Sequence, residues 1–193
     1  MNNPKLSFCI PTFNREKYIV ETIQSILSQI TPEEEKLIEI CISDNASTDN
    51  TDILIGKIRS ISKVNIIYSK NSKNIGADAN YLRVVSLASG DYCWLLGSDD
   101  IIKPGSVKAA LKETKSNYDI YLCNREDCDI NMRPVRKRYW LNETISDECF
   151  DLANKVDFIR YSNNATSIGA FFSYLSSIIF NRAKWELIET DEE

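Results

Sequence analysis

The chain contains no histidine, which excludes Ser-His-Asp triads, Cys-His dyads and imidazole metal sites together. Six cysteines are present, but no two are spaced C-x-x-C, so the thiols point to neither a zinc site nor a redox pair. Cys9, Cys41, Cys93 and Cys123 fall within apolar stretches and read as buried thiols, not as a disulfide frame. No apolar run approaches the ~20 residues of a membrane helix, and Met1-Asn2-Asn3-Pro4-Lys5 lacks the apolar stretch of a signal peptide. A cytoplasmic protein without a transmembrane segment is therefore expected. The net charge of -5 offers no global attraction to nucleic acid or to an anionic membrane, so no nucleic-acid partner is expected and any polyanion must be met locally. What remains is the composition of an ordinary globular domain, 43% hydrophobic and 26% charged over 193 residues, enough to bury a sizeable core.

The first half repeats a short apolar run, a polar turn and a helical period. Lys5 to Pro11 reads as a strand. Asn14 then caps a helix whose Ile19, Ile23, Ile26, Leu27 and Ile30 follow the 3.6-residue period, with Pro32 as the stop. Leu37 to Ser43 is a second strand, Ser47 or Thr48 caps a helix running to about Ser60, and Val64 to Ser69 is a third strand. A helix from Ala77 to Ala88 ends at Gly90, a good place for a left-handed residue. Tyr92 to Leu96 is a fourth strand, apolar enough to be buried on both faces. Pro104 opens a helix carrying Val107, Ala110 and Leu111, and Tyr118 to Cys123 extends the pattern by one more unit. This alternation predicts an α/β fold, a Rossmann-like, mostly parallel central sheet flanked by helices. Beyond Asn124 the signal weakens. Arg125 to Arg138 is a surface loop or hairpin, Cys149 to Tyr161 a helix, Leu175 to Phe180 a strand, and Arg182 to Ile188 starts another helix.

Open parallel sheets bind ligands outside the carboxyl ends of their strands, so the polar segments just past each strand carry the chemistry. They are Pro11-Thr12-Phe13-Asn14, Asp44-Asn45-Ala46-Ser47-Thr48-Asp49 and Gly97-Ser98-Asp99-Asp100. Asp99 and Asp100 follow a very apolar strand, where two like charges are costly unless a cation or helix amides offset them. A turn with a cap explains them as well as a hard ion does. With no imidazole available, that ion would be Mg2+ or Mn2+, sharing its shell with water and substrate phosphates. Asp44 is either a cap or an acceptor for the ring N–H of a base or for ribose hydroxyls. Phe13 either packs on the base or joins the core. Asn74-Ile75-Gly76 either brings backbone close to a nucleotide or is an ordinary turn.

These segments resemble glycosyltransferase family 2, which has the GT-A fold. The matches are Ile10-Pro11-Thr12-Phe13-Asn14 with Ser25-Ile26-Leu27-Ser28-Gln29, then Ile42-Ser43-Asp44-Asn45-Ala46-Ser47-Thr48-Asp49, then Asn74-Ile75-Gly76, then Ala88-Ser89-Gly90-Asp91-Tyr92 leading to Ser98-Asp99-Asp100. The segment from Ser173 to Arg182 is similar to the one that precedes the acceptor site in bacterial members, abequosyltransferase-like enzymes of O-antigen assembly among them. The resemblance implies an inverting transfer of a sugar from a nucleotide-diphosphate sugar to a polysaccharide or lipid-linked oligosaccharide, at the inner face of the cytoplasmic membrane. It implies that Pro11 and Phe13 line the base pocket, that Asp44 binds the base, that Asp99 contacts ribose or sugar and that Asp100 ligates Mn2+ or Mg2+. Thr12, Asn74, Gly76 and Ser98 complete that nucleotide-sugar site. Gly97 departs from the pattern, since the family's acidic signature often begins at that position.

Residues 1–193 then form one GT-A domain, with 1–123 as the nucleotide-sugar-binding half and 124–193 as the start of the acceptor half. The family's spacing would put the catalytic base near Glu189, Asp191, Glu192 and Glu193, but this acidic stretch is more simply a solvated end. The base is expected beyond residue 193, so the chain as given would bind a donor without transferring its sugar. A non-catalytic nucleotide-sugar-binding module of the same fold is the alternative. A nucleotidyltransferase would need a Gly- and Arg-rich loop after the first strand, and a dinucleotide dehydrogenase would need a G-x-G-x-x-G; the sequence has neither.

Overall fold

The structure, a computed structural model, describes residues 3–143, 145, 147–172 and 174–188. Ser173 and the acids Glu189, Asp191, Glu192 and Glu193 lie outside the described residues. In chain order the elements are β1 (Leu6–Thr12), α1 (Ile19–Leu27), β2 (Ile38–Asp44), α2 (Thr51–Ile61), β3 (Asn65–Lys70), α3 (Ala77–Ser86), β4 (Tyr92–Leu95), α4 (Ser106–Glu113), β5 (Ile120–Leu122), β6 (Arg125–Cys128), β7 (Pro134–Arg138), α5 (Lys155–Asn164), α6 (Gly169–Phe172), β8 (Ile178–Asn181) and α7 (Arg182–Trp185). One compact unit comprises Met1–Tyr121 with Ile179–Glu193, and Leu122–Ile178 forms a second. No helix among the described residues is long and apolar enough to cross a membrane.

The six-stranded sheet runs β3-β2-β1-β4-β8-β5, and β3, β2, β1 and β4 are mutually parallel. Every residue of β1, β2 and β4 is buried, as strands covered by helices on both faces must be. Cys9, Cys41 and Cys93 sit within these strands and all six cysteines are free. Cys123 is half-buried, and burial pushes its thiol up to about 11, so it stays protonated and unreactive near neutral pH.

Several local expectations are corrected. Asn14 does not cap α1, because it adopts a left-handed φ of 52°, and α1 opens instead on the Arg15 carbonyl, which accepts from Ile19 N at 2.9 Å. Helix α2 starts at Thr51, not near Ser47, because Asp49 Oδ1 accepts from Thr51 N and from Thr51 Oγ1, at 3.0 and 2.6 Å. Gly90 is not left-handed. It is glycine for want of space, since a Cβ there would lie 2.6 Å from Ser7 Oγ and 3.0 Å from Ser7 N. That closeness builds a buried cradle in which Glu39 accepts from Ser7 Oγ and Ser89 N, both at 2.6 Å. The expected extra βα unit ending at Tyr118–Cys123 does not pair with β4. Its place is taken by β8, antiparallel to β4 with Cys93 opposite Phe180, and β5 pairs outside β8, Asn181 N donating to Asp119 O at 2.8 Å. Burial explains the choice: Ile179 and Phe180 are buried, while Ile120 and Leu122 are exposed.

In the second unit, the charged segment from Arg125 to Arg138 forms an antiparallel hairpin of β6 and β7. Asn154 caps α5 by accepting from Val156 N at 2.9 Å, which explains why the helix begins at Lys155 and not at Cys149. Trp140, Tyr161 and Ala170 make a small core under it. The expected strand from Leu175 is shorter, since Leu175–Ser177 forms a 3-10 turn ahead of β8, and the expected helix from Arg182 is the single turn of α7.

Candidate functional site

The three polar segments leave one edge of the sheet. Thr12, the last residue of β1, is the register partner of Asp44, the last of β2, and just past β4 Leu96 N donates to Cys9 O at 3.0 Å. The loops after β1 and β2 are bonded to each other. Asn14 N donates to Ser47 Oγ, Arg15 N to Thr51 Oγ1 and Glu16 N to Asp49 Oδ2, at 2.9, 2.9 and 3.0 Å. In return Thr48 N donates to Asn14 Oδ1 at 2.8 Å and Asn50 N to Glu16 Oε2 at 3.0 Å. Helix α1 holds the third loop, with Thr22 Oγ1 donating to Ser98 O at 3.0 Å and Ile102 N to Ser25 Oγ at 3.2 Å. Arg15 then reaches across to Asp99, Nε to Oδ2 at 3.6 Å. Two acidic loops remote in sequence are thus joined at one rim through the loop after β1.

The predicted residues occupy different depths of this rim. Asp44 is 0% exposed, its carboxylate accepting from Ser47 N and from Tyr68 Oη, both at 2.7 Å. Burial first, and then the bond to Asp44, push the Tyr68 phenol far above its ordinary pKa, so Tyr68 stays a donor. Pro11 is buried. Thr12 is 2% exposed and its hydroxyl has no hydrogen-bond partner, an orphan group of the kind a ligand would satisfy. Phe13 is 39% exposed and does not belong to the core. Asn74 Oδ1 accepts from Gly76 N at 2.9 Å and from Asn45 Nδ2 at 2.8 Å, and Gly76 has the φ of 89° that favours glycine. Ser98 is buried, Asp99 is exposed and Asp100 is half-buried.

Four residues that sequence reasoning passed over organise the site. Buried Asn45 donates to Asn74 Oδ1 and Gly76 O, and accepts from Asn71 Nδ2 at 3.1 Å and Ile75 N at 2.9 Å, so it pins the loop after β3 onto the end of β2. Buried Asn80 accepts from Ser43 Oγ at 2.7 Å and donates to Ser43 O at 3.0 Å. Its signal was available, since Asn80 lies four residues before Val84 on the buried stripe of α3. Arg15 and Tyr68 gave no such signal. Half-buried Tyr81 is also at the rim, its phenol pushed up by burial and then by the charges of Asp99 and Asp100.

A cation at this rim would meet carboxylate oxygens and nothing softer. Over Gly97, the point a Cβ would occupy lies 2.5 Å from Asp100 Oδ2 and 3.3 Å from Asp99 Oδ1, so both carboxylates border the space that glycine leaves open. Among the described residues no group of three or more Cys, Asp or Glu side chains could hold a metal ion. Such a pair fits a hard divalent ion that takes most of its shell from water and phosphate. A groove of about 910 Å3 opens at the opposite edge of the sheet, but its Lys5 is paired with Asp91 at 2.6 Å and its Arg182 donates to Gly90 O at 2.7 Å.

The chain is 44% identical over 191 residues to the abequosyltransferase RfbV of Salmonella typhimurium, a match covering 96% of this chain and 55% of the relative. Among solved structures, Staphylococcus aureus TarS 1-349 in complex with UDP superposes with a TM-score of 0.71 at 24% identity, over 94% of this chain and 48% of that one. The mannosyltransferase PcManGT of Pyrobaculum calidifontis, in complex with GDP-Man and Mn2+, gives a TM-score of 0.56 at 18% identity, over 64% and 36%. These likenesses establish the GT-A fold, and the chain spans about half the length of RfbV and of TarS 1-349. Residues 7–180 match Glycosyl transferase family 2, and the chain belongs to that family.

Proposed function

We propose that this chain supplies the donor-binding part of an inverting glycosyltransferase that moves a sugar from a nucleotide-diphosphate sugar to a saccharide acceptor. The observation that carries the reading is the junction at one sheet edge of the Asp44 loop and the Asp99–Asp100 pair through Arg15. Pro11, Thr12 and Phe13 would form one wall of the base pocket, where the buried Thr12 hydroxyl lacks a protein partner. Asn45, Asn74 and Gly76 would form the other wall, held by the bonds already described. Asp44, expected to bind the base, has no exposed surface and its carboxylate is taken by Ser47 N and Tyr68 Oη, so in this reading it would act from underneath, fixing the turn and the phenol beneath the base. Ser98 and Asp99 would face the ribose or sugar. A divalent cation, Mn2+ or Mg2+, held by Asp100 would offset the charge of the departing diphosphate. The acceptor in this reading is lipid-linked and met at the inner face of the cytoplasmic membrane, and 1–123 is the donor half of a single GT-A domain.

A thermal-shift panel of UDP, dTDP, GDP and CDP, with and without Mn2+, tests the donor site. At least one nucleotide should raise the melting temperature in a metal-dependent way in the wild type and not in Asp100→Ala. A panel with no such shift would remove the proposal. A second reading, a nucleotide-sugar-binding module without turnover, is favoured by Gly97 standing where the family often has an acid. Calorimetry on a longer chain distinguishes the two, because the module binds UDP with Mn2+ but releases none from any UDP- or dTDP-sugar.

A further inference from the structure

The charge arrangement at the rim raises a question that the donor-site reading leaves open. Arg15 pairs with Asp99, and the Asp99 and Asp100 carboxylates both border Gly97, so these three side chains leave a net negative charge where a diphosphate would have to sit. Arg15 is also placed against its local field. It lies just ahead of α1, its carbonyl accepting from Ile19 N, and a helix amino terminus favours anions over cations. Its backbone is fixed by the bond from Arg15 N to Thr51 Oγ1, yet its guanidinium has only a loose anchor. The contact to Asp99 is 3.6 Å long, with the two side chains 42% and 49% exposed, and an ion pair that open to solvent contributes little.

From this we propose that Arg15 is the residue that holds the donor's diphosphate, exchanging Asp99 for phosphate oxygens when the nucleotide arrives. The proposal rests on the donor-site reading and deepens it. A guanidinium presents a planar fork that matches phosphate bidentately, so the incoming group outcompetes a single loose carboxylate contact. Releasing Asp99 at the same moment frees a carboxylate for the ribose or sugar. Arg15 is thus a positioning residue that couples diphosphate binding to the readiness of Asp99. The rest of the loop stays put, because Asn14 and Glu16 on either side are bonded to the loop after β2.

Calorimetry tests this with whichever of UDP, CDP, dTDP and GDP binds the wild type in Mn2+, compared with the matching nucleoside carrying no phosphate. Arg15→Gln should weaken the nucleoside diphosphate about 10- to 100-fold, the loss expected for a hydrogen bond to a charged group. It should leave the nucleoside within about twofold, and Arg15→Lys should recover part of the loss. Equal weakening of both ligands, or of neither, in a variant that melts like the wild type would overturn the role of Arg15 while leaving the donor site standing. If Arg15→Gln does not fold, Arg15→Lys carries the test alone: selective weakening of the diphosphate supports the role, and an unchanged or unselective profile overturns it. A wild type that binds none of the four nucleotides would remove the donor site and the role of Arg15 together.

Discussion

Tyr68, on an outer strand of the sheet, donates its hydroxyl to Asp44 at 2.7 Å and so occupies half of a carboxylate that has no surface of its own. The other half is taken by the Ser47 amide at the same distance. Removing the acid strands a buried amide and a half-buried phenol, whereas removing the phenol hydroxyl leaves the acid one partner. Asp44→Ala should therefore lose about 1–3 kcal/mol and Tyr68→Phe nearer 1 kcal/mol. Urea denaturation of both variants gives the order, and a costlier Tyr68→Phe would mean that Asp44 is held mainly by its phenol.

Glycine fills opposite needs at two positions. At Gly90 an added methyl would meet Ser7 backbone and hydroxyl at 3.0 and 2.6 Å and would spread the cradle around Glu39; Gly90→Ala should lose about 1–3 kcal/mol. At Gly56, inside α2, a methyl meets nothing within 4 Å, so Gly56→Ala should gain about 0.5–1 kcal/mol from helix propensity. Melting curves of the two variants should move in opposite directions.

Acid should weaken the fold through specific carboxylates. At Asp49 burial acts upward but is outweighed by bonds from the Thr51 hydroxyl and from the Glu16 and Thr51 amides, which hold the group below the ordinary range. The Arg138 bond does the same for Asp127. Because both folded values are depressed, their stabilisation is complete above the ordinary aspartate value of about 4 and is lost as pH falls below it. Asp49→Asn should flatten that acid limb when urea midpoints are followed from about pH 7 to about pH 3.

Gly97 has its own test. A Cβ there would lie 2.5 Å from Asp100 Oδ2, which the mobile end of a side chain can yield to, so Gly97→Ala should melt like the wild type. The displaced carboxylate should nevertheless weaken the Mn2+-dependent part of nucleotide binding in the thermal-shift panel. Intact metal dependence in this variant would exclude Asp100, in its present rotamer, as the metal ligand.

The parallel half of the sheet was legible because β1, β2 and β4 are near-continuous apolar runs, a pattern that local reading handles well. The position of the rim followed from the same alternation. Caps were misread because they are exchanged between loops: Asn14 serves Thr48 N, and Ser47 serves Asn14 N, whereas local rules assign each polar residue to its own helix. The burial of Asp44 was hidden because its partner Tyr68 comes from another strand. The antiparallel insertion of β8 between β4 and β5 has no local signature, since nothing in Ile178–Asn181 itself says which strand it will join.

That insertion has a consequence for synthesis on the ribosome. The flank of β4 that receives Ile179 and Phe180 must wait for residues made more than eighty positions later, and contacts so distant in sequence form slowly. Until then a short, greasy strand presents unsatisfied amides and carbonyls to its surroundings, the usual invitation to intermolecular pairing. A nascent chain halted before Ile178 should accordingly be prone to self-association, even though every residue of the acidic rim has already been made.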